Sequence, residues 1–78
     1  MAITLEPITL ESPVGDDEGM LARRDGRLFA VLSCLGGLHG ELMGHWFVEA
    51  ALATDLVEVG RVFATLDAFE AHVERQDA

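Results

Sequence analysis

Two histidines and a glutamate in the middle of the chain could do chemistry together. His39, Glu41 and His45 all have odd numbers in a stretch that we predict to be extended, so strand alternation places them on one face. Imidazoles and a carboxylate on one face can bind a divalent metal or act as acid and base. In an extended strand, however, His39 and His45 would be roughly 20 Å apart at about 3.3 Å per residue. We therefore expect solvent-facing histidines and no metal site, and a metal- or ligand-binding module stays an alternative.

Three of the five cationic side chains of the chain lie in one short run, Arg23-Arg24-Asp25-Gly26-Arg27. Asp-Gly between two apolar runs is typical of a two-residue hairpin turn, because both residues tolerate the positive φ of a type I′ turn. Alternation places Arg24 and Arg27 on one face and Arg23 on the other. Such charges can simply protect a sheet edge, or they can hold an acidic partner or a phosphate-bearing ligand. Arg24 and Arg27 are thus the candidate partner or anion contact.

An acidic run, Asp16-Asp17-Glu18-Gly19, offers oxygen ligands of the kind that Ca²⁺ and Mg²⁺ prefer. The run lacks the ligand spacing of an EF-hand loop, and strand-like residues follow it rather than a helix. We interpret it as a solvated charged turn.

No residue pattern supports catalysis. Cys34 lies in an apolar strand-like run, away from the basic groups or helix N-terminus that stabilise a thiolate. Ser33 has no Gly-x-Ser-x-Gly surroundings, and the chain contains neither a Gly-x-Gly-x-x-Gly loop nor any lysine. Trp46-Phe47 could stack a planar ligand, but an aromatic pair in so apolar a strand indicates core. We predict a non-enzymatic protein with no catalytic residue and no cofactor.

Length and charge restrict the class of protein. A chain of 78 residues forms a single domain, 1–78, and its apolar fraction of 50% favours folding despite a net charge of −9. That acidity repels phosphate backbones, so we do not expect nucleic-acid binding. The single cysteine excludes an internal disulfide, and the sequence shows no signal peptide and no apolar run long enough to cross a membrane. We therefore expect a cytoplasmic protein without a membrane partner.

The apolar patterns predict an α+β fold, with a three-stranded antiparallel meander and a C-terminal helix packed on one face. Residues 1–19 form an extended arm and acidic loop, in which Pro7 indicates an edge strand if the arm joins the sheet. The sheet occupies 20–64, with strands at 20–24, 27–35 and 41–51, an ambiguous stretch at 53–60 and an extended end at 61–64. The helix occupies 65–76, where Thr65 is a plausible N-cap and Leu66, Phe69 and Val73 form an apolar stripe.

One helix covers one face of such a sheet, yet the central strand at 27–35 is apolar on both faces. The N-terminal arm or a second copy of the chain must cover the other face. We therefore predict a small acidic domain that acts by protein–protein association, homodimeric through an apolar sheet face, with another protein as a further possible partner. A nucleic-acid-contacting sheet is the alternative, because three-stranded sheets followed by a helix also occur in nucleic-acid readers.

Overall fold

The computed structural model describes residues 2–11 and 17–77, which form one antiparallel sheet and one α-helix. Neighbouring strands in the sheet are neighbours in the chain: β1 Ile3–Thr9, β2 Glu18–Arg24, β3 Arg27–Cys34, β4 Trp46–Ala51 and β5 Val62–Phe63. Helix α1, Leu66–Asp77, follows the last strand. The predicted α+β class, meander order and C-terminal helix are confirmed, and the sheet has five strands instead of three.

The predicted hairpin joins β2 to β3. Asp25 and Gly26 both have positive φ, 52° and 83°, as a type I′ turn requires. Arg24 pairs with Arg27, as predicted, but the register then shifts, so that Ala22 pairs with Ala30 instead of Phe29. Phe29 is therefore the extra residue of a β-bulge.

The bulge corrects the predicted faces of β3. Simple alternation puts Phe29 on the same face as Val31 and Ser33. The extra residue instead reverses the face of each later residue in β3. Phe29 stacks on Phe69 of α1 with ring centroids 6.1 Å apart, and Ala30 is fully buried in the same core. Val31 and Ser33 lie on the opposite face, where their β2 partners are Leu21 and Gly19.

The N-terminal arm adds β1 to the edge of the sheet. It pairs with β2 from Ile3 to Thr9, so it does not fold back over a sheet face. Backbone bonds join Leu10 to Asp17 and Asp25 to Ala2, and in an antiparallel pair such hydrogen-bonded positions alternate with non-bonded ones. Pro7, opposite Met20, therefore falls at a non-bonded position with its nitrogen directed away from β2. Of the predicted acidic loop, residues 12–16 lie outside the described residues, and the prediction is wrong at its end, because Glu18 and Gly19 belong to β2.

The predicted strand at 41–51 is wrong over its first five residues. A 3₁₀ segment, Gly37–Leu42, precedes β4. Gly40 and Gly44 have positive φ, 58° and 86°, which is incompatible with a strand. The ambiguous stretch at 53–60 forms turns, and its Leu56 and Val57 are buried in the core.

Helix α1 begins where the sequence predicts. The hydroxyl oxygen of Thr65 accepts a hydrogen bond of 3.0 Å from the backbone N–H of Ala68, which caps the helix. Phe69 and Val73 are fully buried, and Phe69 also meets the edge of Phe63 with centroids 5.4 Å apart. The helix therefore covers one side of the sheet, which we call the helix face.

Candidate functional site

The other side of the sheet, which we call the open face, has an apolar centre. Residues paired across antiparallel strands share a face, and Val31 pairs with Leu21 on one side and Ala50 on the other. Most apolar residues of the open face are half-buried: Ile8, Leu21, Val31, Phe47, Ala50 and Val62. Leu28, which pairs with Arg23 near the hairpin turn, is 39% exposed. Helix α1 packs on the other face, and the 3₁₀ segment places His39 and Leu42 beside Phe47 and Val62 at one end of the open face.

The two faces of the sheet differ sharply in cover. On the helix face, the side chains of Ala30, Leu32 and Val48 are completely buried. Their neighbours Val31 and Phe47, one residue away on the open face, stay partly accessible. A contiguous apolar sheet surface of this kind is a typical interaction site, since single domains rarely leave large apolar patches uncovered.

Glu49 lies on the open face, as alternation from Phe47 requires, and a second β-bulge then places Ala50 on the same face. Val31 pairs with Ala50 and Leu32 with Val48, so Glu49 is the extra residue of β4. The fully buried Ser33 donates a hydrogen bond of 2.7 Å from its hydroxyl to Oε2 of Glu49. This bond holds a carboxylate in place beside the apolar centre of the open face.

A groove surrounds this carboxylate at the end of the open face nearest the 3₁₀ segment. It has a volume of about 280 Å³, and its apolar walls are Leu35, Leu42, Phe47 and Val62. Its two titratable residues are Glu49 and His39. A carboxylate between apolar walls suits a cationic group carried on an apolar stem.

Sequence reasoning missed this groove, because the 3₁₀ segment supplies part of its lining. One signal was available: Glu49 is a lone acid within the apolar run at 46–53. Alternation puts this acid on the same face as Phe47, which indicates a charged group on an apolar face.

Arg23 provides the cationic charge of the open face, at the end nearest the hairpin turn. Its guanidinium donates to the carboxylate of Glu6 on β1, and the two side chains stay 32% and 54% exposed. An ion pair this accessible contributes little stability. Both groups are therefore available to a partner.

The candidate anion contact, Arg24 and Arg27, lies beyond the open face at the hairpin turn. Nη1 of Arg24 donates to Oδ1 of Asp77 at 3.0 Å, which ties the end of α1 to the sheet. Arg27, Asp25 and Asp77 line a cleft of about 490 Å³ with Arg24. The two carboxylates offset the cationic charge there, so the cleft is a weaker anion site than the arginines alone suggest.

The structure does not place His39, Glu41 and His45 on one strand. His39 and Glu41 lie in the 3₁₀ segment, and His45 precedes β4. No group of three His, Cys, Asp or Glu side chains among residues 2–11 and 17–77 could hold a metal ion. Of the three, His39 lines the groove of the open face.

A small polar cleft of about 160 Å³ lies between α1 and the 54–61 loop. Its walls include Asp55, Glu58, Arg61 and His72. Arg61 lies over the ring of Phe63, 5.3 Å from the centroid, and the imidazole of His72 meets the same ring at 5.4 Å. Desolvation by burial lowers the pKa of His72, with smaller contributions from the positive charges of Arg61 and Arg75.

The remaining residues considered for chemistry have structural surroundings. Trp46 is buried in the core on the helix face, as predicted for the aromatic pair, whereas Phe47 lies on the open face. Cys34 is half-buried and packs against the core.

Comparisons with protein-family models, curated proteins and solved structures found no match for this chain. Among the described residues, no helix is both long and apolar enough to cross a membrane.

Proposed function

We propose that this chain is a small, non-enzymatic association domain that forms a homodimer through its open face. One observation carries the proposal: a five-stranded sheet has its helix on one side only. The centre of the other side consists of Leu21, Val31 and Ala50, paired across three strands. Covering this surface with a copy of itself removes apolar area from water in both chains at once.

The dimensions of the chain fit a dimer of ordinary size. The chain measures 35 × 22 × 17 Å along its principal axes. No face of the chain can exceed the rectangle of its two longer extents, which is close to the ~800 Å² that each partner contributes to a standard interface. A homodimer through the open face would therefore be of standard size at most.

The charge distribution favours the open face over the rest of the surface as the dimer interface. Two chains of net charge −9 repel each other, so association needs a surface where acids are sparse. The centre of the open face carries no charge, and the acids Glu6 and Glu49 lie toward its sides. The same acidity gives the nucleic-acid alternative little support.

We place the protein in the cytoplasm, where a lone cysteine remains reduced. Cys34 is the single cysteine in the sequence, so the fold depends on no internal disulfide.

The test replaces the central valine of the open face. Val31→Glu would bury a charge at the interface, and it should convert a dimer into a monomer in sedimentation equilibrium across a wide concentration range. Val59→Glu is the matched control, because Val59 is 60% exposed in the loop before β5 and should leave the dimer intact. Val31→Thr is a milder variant that should weaken the dimer if Val31→Glu fails to fold.

The decisive measurement is the wild-type chain itself. A chain that stays monomeric at millimolar concentration would refute self-association. A dimer that tolerates Val31→Glu and Val31→Thr, each confirmed as folded by circular dichroism, would refute this face as the interface.

A further inference from the structure

The open face carries opposite charges on opposite sides of its apolar centre. Arg23 lies on β2 near the hairpin turn, where its β3 partner is Leu28. Glu49 lies on β4, and its bond to Ser33 directs its carboxylate toward the other end of β3. The pair Leu21 and Val31 lies between the two charges along the strands.

This arrangement is the one that a twofold dimer needs. In a twofold interface, a residue of one chain meets a different residue of the other, and the same contact occurs a second time in reverse. A surface is self-complementary in charge when its positive and negative groups lie on either side of the axis. A twofold axis lying in the interface and passing between Leu21 and Val31 relates the Arg23 side of one chain to the Glu49 side of the other.

The Glu49 carboxylate has room for a second donor. The Ser33 hydroxyl donates to Oε2. An ionised carboxylate has about four acceptor sites on its two oxygens, so Glu49 can accept from a guanidinium as well. The groove walls Phe47 and Val62 provide apolar contact for the methylene stem of an arginine.

Arg23 is the arginine of this chain that fits the role. It shares the open face with Glu49, and its ion pair with Glu6 is accessible. Arg24 is bound to Asp77 on the helix side, and Arg61 lies over Phe63 of the core.

We infer that the groove around Glu49 receives Arg23 of a second copy of the chain, twice in each dimer. The inference rests on the proposed homodimer and adds the contact that fixes its geometry. Two −9 chains thereby meet through two attractive pairs, which select one mode of stacking among the many that an apolar surface allows.

The experiment exchanges the charges and measures dissociation constants by analytical ultracentrifugation. Arg23→Glu brings two acids together at each contact, and Glu49→Arg brings two arginines together, so each variant alone should raise the dissociation constant by at least about tenfold. An equimolar mixture of the two variants should form a heterodimer, because both of its contacts then pair opposite charges. The double variant should dimerise on its own for the same reason.

Control variants carry the same charge changes outside the open face. Arg75→Glu and Glu74→Arg alter exposed residues of α1 by the same number of charges, and they should leave the dissociation constant nearly unchanged. The neutral variants Arg23→Gln and Glu49→Gln should weaken the dimer less than the reversals do, and they keep the test valid if a reversed charge prevents folding.

The outcomes separate this inference from the proposed dimer. A wild-type monomer would remove both. A wild-type dimer that Val31→Glu disrupts, but that neither charge reversal weakens, would refute the Arg23–Glu49 contact alone. Weakening by both reversals without recovery in the mixture would also refute it, because the two residues would then not meet.

Discussion

Replacing one phenylalanine on each side of the sheet should have unequal effects. Phe69 is fully buried between Phe29 and Phe63, whereas Phe47 is half-buried on the open face. Removing a fully buried phenylalanine costs about 3 to 5 kcal/mol, from lost transfer free energy and from the cavity that remains. For Phe47, part of the ring already contacts water, so we expect a loss of no more than about 2 kcal/mol in the isolated chain.

These losses are large against the stability of the domain. A chain of 78 residues has an unfolding free energy of about 4 to 12 kcal/mol, at roughly 0.05 to 0.15 kcal/mol per residue. With a urea slope near 1 kcal/mol/M, Phe69→Ala should lower the denaturation midpoint by about 3 M or more. At the lower end of the stability range, this variant would be largely unfolded in buffer.

Urea denaturation followed by circular dichroism measures both variants. At low protein concentration, the Phe69→Ala midpoint should fall further than the Phe47→Ala midpoint. If the proposed dimer forms, it stabilises the folded wild type by mass action as concentration rises. The deficit of Phe47→Ala relative to wild type should therefore grow with concentration, whereas the Phe69→Ala deficit should not.

Two results would contradict this reasoning. If Phe47→Ala destabilised the dilute protein as much as Phe69→Ala, the open face would be covered within one chain. If the loss in Phe69→Ala were below about 1 kcal/mol, α1 would not be packed on the sheet as the structure has it.

Two further predictions concern α1. Thr65→Ala removes the oxygen that accepts the hydrogen bond of the Ala68 N–H, and it should lower the unfolding free energy by about 1 kcal/mol. The control Thr54→Ala, in an exposed loop, should have little effect. Equal losses of stability in the two variants would argue against the cap. The pKa of His72 is lowered in the folded state. Between that lowered pKa and the ordinary value of 6.5, the unfolded chain therefore binds more protons than the folded chain. The unfolding free energy should fall as pH drops through this window. His72→Gln should reduce this pH dependence in thermal melts from pH 8 to pH 5, and an unchanged profile would show that other groups cause it.

The parts of the fold that short sequence signals determine were predictable. Asp25-Gly26 defines the hairpin, and Thr65 with the stripe Leu66, Phe69 and Val73 defines the helix, because each signal acts within a few residues. The central strand at 27–35 is apolar on both faces, and from this we predict a second apolar face of the sheet; the structure has that face without a helix.

The faces of the central strand could not be assigned in the same way. Phe29 and Ala30 are both apolar, so alternation fits the sequence whether or not Phe29 is bulged. Strand β5 contains two residues, Val62–Phe63, too few to show a period. The second bulge likewise changes the face of Ala50, and neither bulge has a local sequence requirement that identifies it.

Pro7 limits how this protein can assemble. A further strand could pair with β1 only through the backbone N–H and C=O groups on the outer edge of β1. Pro7 removes one N–H donor from the middle of that edge. At the opposite side of the sheet, β5 offers two residues, too short a template for a stable new strand. Head-to-tail addition of β1 to β5 of the next copy would continue into fibrils, whereas twofold stacking through the open face uses up its own surface in one step. The edges of the sheet thus favour a closed pair of chains over a polymer.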